Sequence, residues 1–230
     1  MSATVTIVLH HARTDTALLE EVLKEQGLQP LLCRLHAGES CPEPDGLAGI
    51  VVLGGPMGAY EADRHPILHD SMRLLERAIE ADVPTLAICL GAQLLALVAG
   101  GTAHPGAAGQ EWGFVSIALT DAGRADPLVA GMAGEHFSFH SDSFRVPAGV
   151  DLLAQSPTYP HAFRVGSALG LQFHPELSVA GMHRLLGLLD GRAPDESVRR
   201  ARAEASARRA LTRHTLSTLL TRLAEPSTRR

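Results

Sequence analysis

Apolar positions in the first hundred residues fall into two alternating patterns. Short uninterrupted runs, Thr4 to Leu9, Pro30 to Leu35, Gly49 to Leu53 and Pro84 to Ile88, read as strands buried on both faces. Between them the apolar residues stand three and four apart. Thr14 to Gln26 puts Leu18, Leu19, Val22 and Leu23 on one stripe and is closed by Gly27. Ile67 to Ala81 predicts a second helix, and Leu94 to Val98 the apolar body of a third. Strand and helix in alternation predict an α/β fold: an open, mostly parallel sheet with helices on both faces.

After Gly100-Gly101 the pattern changes. Phe114 to Leu119, His136 to Phe144, Asp151 to Ala154 and Ala162 to Phe173 read as short strands separated by turns, which adds mixed strands to the parallel sheet. Leu177 to Leu189 predicts a closing helix, and Gly191 to Pro194 a break. Asp195 to Ala203 and Ala205 to Leu223 are helical, with Val198, Ala201, Ala205, Leu211, Leu216, Leu219, Leu220 and Leu223 set among arginines. The expected organisation is a catalytic domain over residues 1–190 and an arginine-rich helical extension over 191–230.

Composition narrows this picture. Hydrophobic residues are 45% and aromatics 4%, so the core is aliphatic. No stretch reaches the ~18 apolar residues of a membrane span. Met1 to Thr4 lacks a basic leader and runs into a strand, so no secretory signal is expected. Three cysteines without paired spacing argue against a disulfide framework and fit a reducing cytoplasm. No Cys or His spacing resembles a zinc site. The net charge of −5 is uneven: ten arginines against four acids leave residues 191–230 at +6, so residues 1–190 carry −11. With no aromatic residue in that tail to stack on bases, nucleic acid is not an expected partner.

Candidate chemistry centres on Cys89. Ala87-Ile88-Cys89-Leu90-Gly91 joins a buried strand to an apolar helix, with small residues flanking the cysteine. This is the thiol counterpart of the G-x-S-x-G nucleophile elbow, and the positive end of the following helix favours a thiolate. Downstream, Phe173-His174-Pro175-Glu176 places an imidazole and a carboxylate two residues apart at a strand end. Together they suggest a Cys89-His174-Glu176 triad. Cys33 reads as an inert core residue and Cys41 as a surface thiol.

Four segments, Val51 to Gly58, Ala87 to Gln93, His140-Ser141-Asp142 and Phe173 to Glu176, resemble in order those of the class I glutamine amidotransferases, of the stand-alone type similar to the glutaminase domain of GMP synthase. The likeness runs over roughly residues 4 to 190 and implies a flavodoxin-like sheet. In the chemistry it implies, Cys89 attacks the glutamine side-chain amide, His174 moves the protons and Glu176 orients the imidazole. By the elbow logic Leu90 and Gly55 supply the oxyanion-hole N–H groups. Met57, Gly58, Gln93, His140, Ser141 and Asp142 correspond to the substrate shell. The family usually has glycine where Ser141 stands; were a positive φ needed there, serine would be strained by roughly 1 kcal/mol or more. Glu111-Trp112-Gly113 also matches a family segment, with Trp112 read as packing. His10 and His11 end the first strand near the pocket. His65, His69, His104 and His183 read as surface or loop residues.

The resemblance implies glutamine or a γ-glutamyl amide as substrate and no cofactor. A separate synthase subunit and a homo-oligomer are both compatible with it, and no membrane partner is expected. No G-x-x-x-x-G-K-[ST] is present, so a synthase acting on an acceptor would be another polypeptide. Two rival readings stand beside glutamine hydrolysis. One is a peptidase for larger γ-glutamyl amides; the other is a non-catalytic interaction protein on the same fold.

Overall fold

The computed structural model describes residues 3–224, with side chains described through residue 221. In chain order the elements are β1 (Thr4–Leu9), α1 (Ala17–Glu25), β2 (Gln29–Arg34), β3 (Gly49–Val52), α2 (Ile67–Glu80), β4 (Thr85–Ile88), α3 (Leu90–Val98), β5 (Thr102–Pro105), β6 (Glu111–Leu119), α4 (Asp121–Ala125), β7 (Gly134–His140), β8 (Asp142–Arg145), β9 (Leu152–Gln155), β10 (Pro160–Val165), β11 (Ala168–Leu171), α5 (Val179–Gly187), α6 (Asp195–Ala207) and α7 (Arg209–Ala224). Nine strands form one sheet in the order β2-β1-β3-β4-β11-β10-β9-β6-β7, while β5 and β8 pair separately. From β2 to β11 neighbours run parallel; from β11 to β7 they run antiparallel.

The parallel half follows the apolar runs closely. Every residue of β3, β4 and β11 is buried, as expected of strands covered by helices on both faces. Leu68, Leu74 and Leu75 of α2 and Leu94 and Leu95 of α3 pack on one face. Leu18, Leu19, Val22 and Leu23 of α1 pack on the other, with Leu216, Leu219 and Leu220 of α7. Among the described residues no helix is long and apolar enough to cross a membrane.

The later strands differ from the expected pattern in three places. Ala162 to Phe173 is not one strand but the hairpin β10–β11, reversed at Gly166-Ser167. Gly166 has φ +56°, the backbone that a tight hairpin turn needs and that glycine adopts without strain. His136 to Phe144 breaks at Ser141 into β7 and β8, which belong to different sheets. The strand β5, Thr102–Pro105, was not expected; it is too short and too exposed to show a strand pattern of its own.

The terminal helices dock on the same chain. Val198, Ala201 and Ala205 of α6 pack with Phe137, Met182 and Leu186. Leu211, expected on the leucine stripe, is instead 46% exposed, and Leu223 lies outside the described side chains. The tail arginines form ion pairs within the chain: Arg202 with Asp190, Arg208 with Glu135, and Arg213 with both Glu21 and Glu25. The charge of these three arginines is answered within the chain.

Candidate active site

Three neighbouring parallel strands deliver their C-terminal ends to one place. β3 leads into Gly54-Gly55, β4 into Cys89, and β11 through Gln172-Phe173 into His174. Cys89 has φ 54° and ψ −108°, a strained conformation for a residue with a Cβ. Its N–H bonds to the Leu171 carbonyl at 2.8 Å, and its own carbonyl accepts from Gln93 N–H at 3.1 Å, opening α3. The following turn tolerates no side chain at Gly91, where a Cβ would stand 2.3 Å from the Val52 carbonyl oxygen. The small residue expected there is therefore a steric necessity.

His174 and Glu176 are almost fully buried, and His174 Nδ1 donates to Glu176 Oε1 at 2.8 Å. Burial opposes a charge on the imidazole, but the Glu176 carboxylate and the Cys89 sulfur outweigh it and hold His174 well above the ordinary histidine range. His174 Nε2 has no partner of strict hydrogen-bond geometry, although the thiol interacts with it as a looser hydrogen-bond partner. A Cβ added at Gly54 would lie 3.8 Å from Cys89 Sγ and 3.6 Å from His174 Cε1, so the three residues crowd around one spot.

Gly55 is also closely packed. A Cβ there would meet Leu90 Cδ2 at 2.9 Å and His10 Cβ at 3.1 Å. His10 does not reach the cleft but braces this loop from beneath. Its Nδ1–H donates to the Leu53 carbonyl at 3.1 Å, and its Nε2 accepts from Ser71 Oγ at 2.7 Å. Burial depresses its pKa to about 4, so the ring is neutral. His11 does line the cleft.

The cleft has a volume of about 630 Å³. Gly54, Gly55, Met57, Cys89, Leu90, Gln93, His140, Ser141, Asp142, His174 and Glu176 all line it; Gly58 does not. The Gly58 N–H is directed instead to the Glu61 carboxylate at 2.9 Å. The Gln93 amide is already engaged, donating at 3.3 Å to both the Asp142 carbonyl and Gln172 Oε1. The strain expected at Ser141 is absent, because Asp82 and Cys89 are the only described non-glycine residues with positive φ. Its carbonyl accepts from Gly106 N–H at 2.8 Å, an ordinary strand-end contact.

Two groupings escaped the sequence. Glu111, His140 and His161 converge within 4.8 Å of one another behind the cleft wall. Glu111 carried a family-like segment, but the only sign of His161 was an ionisable residue inside an apolar strand. Cys33 and Cys41, read separately as a core residue and a surface thiol, stand with their sulfurs 3.6 Å apart.

A family model described as glutamine amidotransferase class-I matches residues 14–185. The chain belongs to the class I glutamine amidotransferase family. It is 34% identical over 134 residues to a glutamine-hydrolyzing GMP synthase of Thermomicrobium roseum, covering 56% of this chain and 23% of that protein. A Helicobacter pylori GMP synthase is 28% identical over 172 residues, 74% of this chain and 32% of that one. The chain thus spans about a quarter to a third of the length of these curated relatives. The crystal structure of a glutamine amidotransferase from Thermotoga maritima superposes with a TM-score of 0.88 at 26% identity, covering 98% of this chain and 100% of that one. A glutamine amidotransferase from Methylobacillus flagellatus, at 20% identity and a TM-score of 0.82, shares the fold over the whole of this chain.

Proposed function

We propose that the protein hydrolyses the side-chain amide of glutamine, with Cys89 as nucleophile, His174 as proton carrier and Glu176 as the carboxylate that orients it. The observation that carries this reading is the strained Cys89 turn meeting the buried His174–Glu176 pair at adjacent strand ends. The His174 imidazole takes up the thiol proton to give an imidazolium–thiolate pair, and the thiolate adds to the amide carbon. The negative oxygen of the tetrahedral intermediate falls between the N–H groups of Leu90 and Gly55. His174 then protonates the departing nitrogen, ammonia leaves, and a γ-glutamyl thioester remains. Water, deprotonated by the same imidazole, hydrolyses the thioester to glutamate and free thiol. The ammonia is released or passed to a separate synthase polypeptide.

The enzyme assay is glutamate release from glutamine. Cys89→Ala is expected to abolish it while the fold is retained, since alanine fits the turn. A glutamine-like electrophile such as diazo-oxo-norleucine is expected to label Cys89 and spare Cys33 and Cys41. Near-normal turnover in the variant, or label on the other two cysteines alone, defeats the assignment.

One feature favours a second reading, cleavage of a larger γ-glutamyl amide. The cleft continues past Cys89 to Arg13, Arg184, Leu185 and Leu188, and its volume suits a ligand larger than one amino acid. Arg13 has no ion pair among the described residues, so an anionic leaving group would find a cation there. Comparing kcat/KM for glutamine with that for γ-glutamyl dipeptides separates the two substrates.

A further inference from the structure

Behind the His140–Asp142 wall lies a charged cluster that the chemistry above does not use. Glu111 begins β6, His140 ends β7, and His161 lies on β10. One Glu111 oxygen accepts from His161 Nε2 at 2.7 Å and from His140 Nε2 at 3.1 Å; the other accepts from Ser156 Oγ at 2.7 Å. Burial opposes charge on this carboxylate, but the donors outweigh it and hold Glu111 well below the usual carboxylate range.

His140 faces two oxygens that can only accept. Its Nε2 points at Glu111, and its Nδ1 at the Asp142 carbonyl, 2.9 Å away. Both ring nitrogens are therefore engaged, one by a buried carboxylate and one by a backbone carbonyl. Turning the ring would leave buried polar atoms of both residues without these partners, so the contacts fix the ring. The same Asp142 carbonyl receives the Gln93 amide from α3, one turn beyond Cys89. A continuous set of hydrogen bonds thus joins Glu111, across one carbonyl of the cleft wall, to the helix that carries the nucleophile.

The distances in the cluster are those of a hydrogen-bonded network. Two ligands on one zinc, each about 2.0–2.2 Å from the ion in a tetrahedral arrangement, stand more than 3 Å apart. The 2.7 Å between Glu111 and His161 is a hydrogen bond.

We propose that Glu111 is a positioning residue for the amide substrate: by holding His140 and His161 it fixes the Asp142 carbonyl and the His140–Asp142 wall against which the substrate's head group is bound. The proposal rests on the glutaminase-type reading of the cleft. It separates binding from chemistry, because Glu111 touches neither Cys89 nor His174. Binding lost equally from substrate and transition state raises KM and leaves kcat alone.

The test compares full-length wild type with Glu111→Gln, His161→Leu and His161→Gln. Four quantities are measured: kcat and KM on the best amide substrate, the rate at which iodoacetamide alkylates Cys89 (followed by peptide mass spectrometry), thermal unfolding, and bound metal. Glu111→Gln is expected to raise KM about 10- to 100-fold, the usual consequence of breaking a charge-assisted hydrogen bond. Its kcat and its Cys89 alkylation rate should stay within about threefold of wild type. His161→Leu should raise KM, and His161→Gln, which restores an N–H donor, should bring it back toward wild type.

Unchanged KM in Glu111→Gln and His161→Leu overturns the proposal alone. So does a parallel collapse of kcat, alkylation and melting temperature in all three variants, which would make the cluster a scaffold element. Stoichiometric metal in the wild type that disappears in Glu111→Gln overturns it in favour of a metal centre. A wild type that turns over no glutamine or γ-glutamyl amide overturns the underlying reading of the cleft, and the proposal with it.

Discussion

The two halves of the main sheet contribute differently to the site. The parallel half, β2-β1-β3-β4-β11, brings backbone: a strained turn, a helix N-terminus and a glycine loop pressed against both. Its key positions are defined by what cannot fit, such as a side chain at Gly91. The antiparallel half, β10-β9-β6-β7, brings side chains: Glu111, His140 and His161 in one buried hydrogen-bonded cluster. The difference follows from topology. Parallel strands all point their C-terminal ends the same way, so the Gly54-Gly55 loop, Cys89 and His174, to which the chemistry is proposed to belong, arrive together. Antiparallel strands alternate direction; the β6–β7 register sets Glu111 opposite His140, and His161 of β10 joins them through its side chain.

If the parallel half holds the chemistry, its residues should fail in kcat. His174→Ala is expected to lower kcat on the order of 10⁴-fold with KM little changed, as for other triad members. A drop of less than tenfold in the glutaminase assay would place the proton carrier elsewhere and break the contrast between the two halves.

Gly55→Ala is the finer probe. Its new Cβ would press on Leu90 Cδ2 at 2.9 Å and His10 Cβ at 3.1 Å, shifting the loop proposed to bind the oxyanion by a few tenths of an ångström. A kcat loss of roughly 10²- to 10³-fold is expected, the effect of one lost oxyanion donor. A rise in KM alone would move Gly55 from the chemistry to substrate binding.

His10 gives the parallel half a pH signature in stability. Its folded pKa of about 4 lies below the ordinary 6.5, so the unfolded chain takes up the proton first as pH falls. The stability tied to its neutral ring is complete above pH 6.5 and is lost between there and about pH 4. The 2.5-unit difference corresponds to about 3 kcal/mol. Urea unfolding of wild type and His10→Gln at pH 7 and pH 4.5 measures it. The variant should lose distinctly less stability between the two pH values, and equal losses would remove His10 from the account.

The smallest effect is expected on the surface. Arg199 and Glu196 pair at 2.7 Å on α6 with both side chains mostly exposed. Arg199→Ala should change stability by less than about 0.5 kcal/mol in the same titration. A much larger loss would mean that tail charges matter as buried ones do, erasing the distinction drawn for Glu111.

Much of the parallel half was legible because its signals are local. A run of β-branched residues is buried wherever it lies, and the stripe from Leu18 to Leu23 faces inward in any helix that packs. The Gly166-Ser167 turn was also written in the chain, but the apolar residues around it, Ala162 to Phe173, masked the reversal. Leu211 shows the opposite error, a leucine at helical spacing that the packing of α7 leaves outside.

The sequence alone determined the alternation of strand and helix, the Cys89 turn and the His174-x-Glu176 pairing, because each depends on residues within a few positions of one another. Only the tertiary structure decided that β11 lies beside β4 and so sets His174 next to Cys89, that His10 braces the Gly55 loop through Ser71, and that Glu111 receives His140 and His161. These contacts join residues 29 to 85 positions apart. No local propensity encodes them: they form because burying the apolar faces of the sheet allows one strand order, and the polar groups carried inside must then find each other.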